Sequence, residues 1–290
     1  MTLRLAIVTD IHHGAPSTAK RGDMALPLMP EFARFVKDSG ATHVLDMGDR
    51  ISDQDRDTDL RLEAEVADAF REVNAPVWHF NGNHDRDHLS VADNEAILGQ
   101  SLGHEVHDVE GWRLVLWRAD SRIHRSPAHR GFQLQEQDLV WLARTMQATD
   151  RPTLVVSHVP LSGHAQTGNY YFQNNPDLST YPTSERARAA LSMARVPVVC
   201  LAGHVHWNTV TCVDGITHLT QQSLTESFTT GGEAAGAMGI LELGDTVNWQ
   251  VIGDDPITHS FRPHARRWTP PLPNFQTRSD LRAAMAQAAE

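Results

Sequence analysis

Residues 3–14 read LRLAIVTDIHHG. The apolar run from Leu3 to Thr9 has the length and composition of a buried strand, and it stops at a carboxylate, Asp10, with His12 two residues on. Similar apolar runs recur at residues 42–47, 76–80, 113–117, 153–157 and 196–202. Between them lie stretches of helical spacing at 28–37, 57–73, 92–98, 135–146 and 184–194. The stretch from Asp57 carries acids early and an arginine late, which suits the helix dipole. Strand followed by helix, several times over, indicates an α/β layered fold with a largely parallel core. After His206 the texture changes to short runs at 210–213, 215–220, 237–243 and 246–252, with turn signals at Asp214-Gly215 and Gly244-Asp245. These read as successive antiparallel strands. Residues 1–255 are expected to form one domain. Residues 256–290 form a tail rich in proline and arginine, with a short helical end from Ser279 and homo-oligomer contact as its preferred reading.

A chain of 290 residues, 40% hydrophobic and 21% charged, can bury a proper core. No apolar run approaches the about 20 residues that span a bilayer, so no membrane partner is expected. The start of the chain has too short an apolar stretch for a secretory signal, and a cytoplasmic protein is the expectation. Cys200 and Cys212 are too few and too scattered for a disulfide framework. The net charge of -11 weighs against a grip on long nucleic acid and is partly offset by any bound dications.

Histidine, at 17, is the unusual count, and the informative ones sit in short signatures. Each signature follows directly on a predicted strand: Asp10-Ile11-His12, Gly48-Asp49, Gly82-Asn83-His84-Asp85, Ser157-His158, and Gly203-His204-Val205-His206. Sites in open α/β sheets form beyond the carboxyl ends of strands, so five strand ends deliver these residues to one rim. Two carboxylates, an amide oxygen and four imidazoles make a mixed nitrogen and oxygen donor set that suits Mn, Fe, Co, Zn or Ni. Seven donors exceed what one tetrahedral ion uses, whereas two ions sharing a carboxylate would engage them all.

The ordered set DxH, GD, GNHD, a lone His after a strand, and GHxH resembles the calcineurin-like metallophosphoesterase superfamily, from Asp10 to His206. The resemblance implies a four-layer αββα sandwich of two mixed sheets flanked by helices. It implies one ion on Asp10, His12, Asp49 and His206 and a second on Asp49, Asn83, His158 and His204, with Asp49 bridging. Two ions about 3.5–4 Å apart activate a water for in-line attack on phosphorus. His84 is then the residue expected to stabilise the transferring group or protonate the leaving oxygen. Asp85 is expected to orient His84, with a cap or surface carboxylate as the plainer alternative. The pattern is nearest that of bacterial class III cyclic nucleotide phosphodiesterases and glycerophosphodiesterases. Ser52 stands where purple acid phosphatases place a tyrosine, and Asp85 where the Ser/Thr phosphatases place a glutamate.

Asn83, His84, Arg50 and Tyr170 are the residues expected to meet substrate. Arg50 departs from the family's apolar residue there. It reads as a phosphate contact or as the partner of a neighbouring carboxylate, the second preferred. Residues 160–182 form a long loop holding all three tyrosines, Tyr170, Tyr171 and Tyr181. Tyr170, Tyr171 or Phe172 read either as a stacking surface for a base or as side chains that close the loop or fill a subunit interface. The basic run 124–130 and the tail's Arg262, His264, Arg266 and Arg267 read as anion attraction or as plain surface and subunit contact. The expected activity is hydrolysis of a small phosphodiester, of the cyclic nucleotide or glycerol type. A phosphomonoesterase, a nuclease and an inactive binding scaffold are the alternatives.

Overall fold

In the computed structural model the described residues are 2–126, 129–265, 272 and 274–287. Pro127, Ala128, the side chain of His129, Arg266 and Arg267, all part of the basic runs above, lie outside them. The strands are β1 (Leu3–Val8), β2 (His43–Asp46), β3 (Val77–His79), β4 (Glu105–Val109), β5 (Trp112–Leu116), β6 (His124–Ser126) and β7 (His129–Gly131). They continue with β8 (Thr153–Ser157), β9 (Val198–Ala202), β10 (Thr209–Val213), β11 (Ile216–Thr220), β12 (Met238–Leu243), β13 (Val247–Ile252) and β14 (Ile257–Phe261). The helices are α1 (Ala25–Ser39), α2 (Arg56–Phe70), α3 (Val91–Leu98), α4 (Glu136–Ala148), α5 (Ser184–Leu191) and α6 (Arg278–Gln287).

Two mixed six-stranded sheets result. One runs β14-β13-β12-β1-β2-β3 and the other β10-β11-β9-β8-β5-β4, while β6 and β7 pair as a separate hairpin. In the first, β1, β2 and β3 are parallel, and in the second, β5, β8, β9 and β11 are parallel. Side chains alternate across each strand and so sort into layers. Leu3, Leu5 and Ile7 of β1 meet Leu154, Val156, Val199 and Leu201 of the other sheet in a central core. Ala6 and Val8 face outward against Phe32 and Val36 of α1 and Val66 and Phe70 of α2. Val155 and Cys200 of the second sheet face Leu139, Leu142 and Leu191 of α4 and α5. This is the expected four-layer αββα sandwich.

Local chemistry sets the element ends. The Asp55 side chain accepts the Thr58 amide at 3.0 Å at the start of α2, and Ser90 and Asp93 form a capping box on α3. Asp214 and Gly215, at φ 54° and 73°, make the two-residue turn joining β10 and β11. Strands β4, β6, β7 and β14 are absent from the sequence reading. β4 and β14 are edge strands with only one face partly covered, so their apolar signal is weak. Because β14 pairs along β13, the first sheet runs past residue 255, where the sequence places the start of the tail.

Candidate metal centre

β1, β2 and β3 deliver Asp10, Asp49 and Asn83 from one sheet, and β8 and β9 deliver His158, His204 and His206 from the other. The cluster therefore sits where the carboxyl ends of both parallel sets meet. Asp10, His12, Asp49, His204 and His206 all adopt left-handed backbone, with φ of 53°, 49°, 55°, 69° and 60°. For a residue with a Cβ this costs about 1–2 kcal/mol each, and such strain gathers where a site needs side chains aimed abnormally. The approach is also too close for side chains between the donors. A Cβ on Gly82 would lie 2.1 Å from Asp49 Oδ1, and one on Gly203 would lie 2.8 Å from Asp10 Oδ2.

Two donor groups emerge. Asp10, His12, Asp49 and His206 have donor atoms within 4.8 Å of one another, as do Asp49, His158 and His204. Asp49 belongs to both. Within the first, His206 Nε2 lies 3.4 Å from Asp10 Oδ1 and His12 Nε2 lies 3.8 Å from Asp49 Oδ2. Within the second, His158 Nε2 lies 3.5 Å from Asp49 Oδ2. Asp10 Oδ1, Asn83 Oδ1, His158 Nε2 and His204 Nδ1 are buried without any hydrogen-bond partner. Buried polar atoms are rarely left so, and oxygen and imidazole donors aimed at one another are what divalent transition ions take. The residues fit a pair of such ions.

Outer partners hold the rings in place. His158 donates Nδ1–H to Met47 O at 2.8 Å and His204 donates Nε2–H to Leu178 O at 2.7 Å, which leaves the other nitrogen of each as a donor to a metal. His206 Nδ1 lies 3.3 Å from Glu226 Oε2. With protons as the only cations, burial lowers His158 and His206, but Asp49 and Asp10 respectively outweigh it and lift each to about 9. Burial and the charge of His158 lower His204 to about 4. Burial raises the Asp49 carboxyl, yet His158 and its neighbours hold it well below the usual range.

Around the donors, two expectations are corrected, Arg50 as a substrate contact and Asp85 as the partner of His84, while the preferred pairing of Arg50 with a carboxylate holds. Arg50 is fully buried, paired with Asp46 at 2.9 Å, Glu63 at 2.5 Å and Asp85 at 3.4 Å, so it is sealed from any phosphate. Asp85 is not the partner of the His84 ring. It accepts the backbone amides of Asp49, Arg50 and Gly82 at 2.8–2.9 Å and fixes the turn that carries the shared carboxylate. The His84 ring is held by Asp53, whose Oδ1 is hydrogen-bonded to Nδ1. Residue 53 was visible in the sequence as the second acid of Gly48-Asp49-Arg50-Ile51-Ser52-Asp53, but its partner was not. Lys20 and Glu226, also absent from the expected set, carry no comparable motif.

Asp49, Asn83, His84, His204 and His206 line the floor of a cavity of about 380 Å³. Its walls include Lys20, Ile123, Tyr170, Tyr171, Phe172, Leu178 and Phe228. Tyr170 stacks on Phe228 at 4.2 Å, and its phenol donates to Glu226 at 3.3 Å. Tyr181 is instead buried against Trp117 and Phe132, where it closes the loop onto the core. No helix among the described residues is long and apolar enough to cross a membrane.

Two face-to-face sheets with paired carboxylate and imidazole groups at their common edge define a class of four-layer proteins built to hold cations. The chain belongs to the calcineurin-like phosphoesterase family, whose model matches residues 3–208. No curated protein matches the sequence. Among solved structures it is similar to a dimetal phosphatase from Danio rerio, with TM-score 0.69, 16% identity and coverage of 88% of this chain and 98% of that one. A purple acid phosphatase from yellow lupin (Lupinus luteus) seeds gives TM-score 0.59 and 12% identity over 90% of this chain and 53% of that one. GAP50, the anchor in the inner membrane complex of Plasmodium, gives TM-score 0.53 and 13% identity over 92% of this chain and 90% of that one. At these identities the likeness speaks to the fold alone.

Proposed function

We propose that this protein hydrolyses small phosphodiesters, of the cyclic nucleotide or glycerol type, with two divalent transition ions (Mn, Fe, Zn or Co). One ion is assigned to Asp10, His12, Asp49 and His206, and the other to Asp49, Asn83, His158 and His204. The observation that carries this reading is Asp49, shared by both donor groups on the floor of the cavity. When bound, the ions supply Lewis acidity toward phosphoryl oxygens and make a water acidic enough to attack at neutral pH.

The chain's own residues do the rest. His84, pinned at Nδ1 by Asp53, turns Nε2 toward the cavity, where it protonates the leaving alkoxide. Asn83 and His84 border the position of the phosphoryl group. Tyr170 lines the wall that receives an ester substituent, and that apolar wall favours a diester, whose second alcohol needs a surface to rest on. Full retention of the donors argues for an enzyme rather than a scaffold.

The test is initial-rate hydrolysis of bis(p-nitrophenyl) phosphate against p-nitrophenyl phosphate by metal-stripped protein reloaded with Mn(II). A faster diester, stopped by chelator, supports the reading. A faster monoester replaces it with a phosphomonoesterase, and no turnover of either turns it into a binding scaffold.

A further inference from the structure

Of the 25 lysines and arginines in this chain, only Lys20 and Lys37 are lysines. Lys37 is exposed in the last turn of α1. Lys20 lines the cavity over the donor cluster, with Nζ 3.2 Å from His12 Nδ1 and 3.5 Å from His84 Nε2. Its place is set by the backbone. Residue 20 forms an antiparallel bridge with residue 226, flanked by Arg21 N to Thr225 O at 2.8 Å and Ser227 N to Ala19 O at 2.9 Å. The same loop is bonded to the strand end that carries the first donors, through Ser223 Oγ to Asp10 O at 2.7 Å and Thr225 Oγ1 to Ile11 O at 3.0 Å. Two paired segments thus hold an ammonium over the site, and among the described residues it forms no ion pair.

We propose that Lys20 is a substrate-binding residue whose ammonium takes a non-bridging oxygen of the phosphoryl group. The proposal rests on the phosphoester reading above. An ammonium has three donors and no acceptor, so each neighbour must offer a lone pair. A neutral His12 that gives Nε2 to an ion carries its proton on Nδ1, the atom Lys20 now faces. The ammonium then loses that acceptor and requires another. His84 beside it borders the position assigned to the transferring phosphoryl group, so an anionic oxygen there meets the ammonium at short range. A compact ammonium suits a point contact between two imidazoles better than the wide guanidinium fork used elsewhere in this chain.

The experiment uses full-length protein loaded with zinc, which is diamagnetic, and labelled with 13C at lysine. Two side-chain resonances are expected, assigned with Lys37→Arg. Inorganic phosphate is titrated in while its own 31P signal reports binding. The expected result is that the Lys20 signal moves in step with phosphate binding and the Lys37 signal stays. Lys20→Gln should weaken phosphate binding about ten- to a hundredfold, the worth of a charged hydrogen bond, at unchanged zinc content. Lys20→Arg should recover part of it. Phosphate that binds with the Lys20 signal unmoved overturns the assignment, as does a Lys20→Gln protein that loses zinc, which would make Lys20 a support for His12. Phosphate that binds zinc-loaded protein nowhere removes the phosphoester reading and the role of Lys20 with it.

Discussion

Glu226 Oε2 lies 3.3 Å from His206 Nδ1, on the opposite side of the ring from Asp10. The same oxygen accepts the Tyr170 phenol, and Oε1 accepts the Phe228 amide at 2.7 Å. One buried carboxylate thereby orients a donor of the first proposed ion site and holds the aromatic wall of the cavity. Replacing an outer partner of a metal-bound imidazole costs about 10–100-fold in affinity. Glu226→Gln is therefore expected to lower the affinity of one ion about tenfold or more while the other is retained, as read by calorimetric metal titration. Equal affinity for both ions would deny Glu226 that role.

Asp53 holds the His84 ring at Nδ1. Asp53→Asn keeps a hydrogen-bonding atom at Nδ1 but removes the charge that stabilises an imidazolium. Positioned acid catalysis is worth about 10²–10⁴ in rate. A fall in kcat of about a hundredfold with little change in KM is expected from steady-state kinetics. An effect confined to KM would place His84 in binding rather than proton transfer.

Metal loading should release protons. His158 and His206 are held protonated up to about 9 by Asp49 and Asp10, and their nitrogens must shed those protons before they can coordinate. Apparent metal affinity should therefore climb as pH rises toward about 9 and flatten above it. The metal-free protein carries the opposite sign. A raised imidazole pKa stabilises the fold fully below the unfolded value, and that contribution is lost as pH rises through about 9. Calorimetry in buffers of differing ionisation enthalpy counts the protons, and no proton release at pH 7 would mean that the two rings are already neutral.

Arg50 makes a stability prediction rather than a kinetic one. Burial raises Glu63, against the pull of Arg50, to about 8 and raises Asp85 as well, whereas at Asp46 Arg50 and His79 outweigh burial and lower it. Arg50→Met leaves them buried without their counter-charge, and breaking such a cluster costs about 3–5 kcal/mol. Urea unfolding should show that loss. A variant of normal stability with raised KM would instead return Arg50 to the substrate.

Much of this fold was legible as local pattern. The run at 153–157 coincides with β8, and the other central strands lie within two residues of their expected ends, because doubly buried strands are continuous apolar runs. Edge strands β4 and β14 expose one side, so the same measure misses them. The candidate metal donors were legible for a related reason. Each sits in a short motif at a strand end, and strand ends in a parallel sheet converge whatever lies between them.

What the sequence determined, then, is the layered architecture and the set of candidate donors, since both follow from residues adjacent along the chain. The tertiary structure alone decided who stands behind those donors. Glu226 behind His206, Asp53 rather than Asp85 behind His84, Lys20 over the cavity and Arg50 among three acids are pairings between segments brought together by folding. Loops carry no periodicity that reports where they pack, and a charged side chain reads the same in sequence whether it faces water or a buried partner of opposite charge.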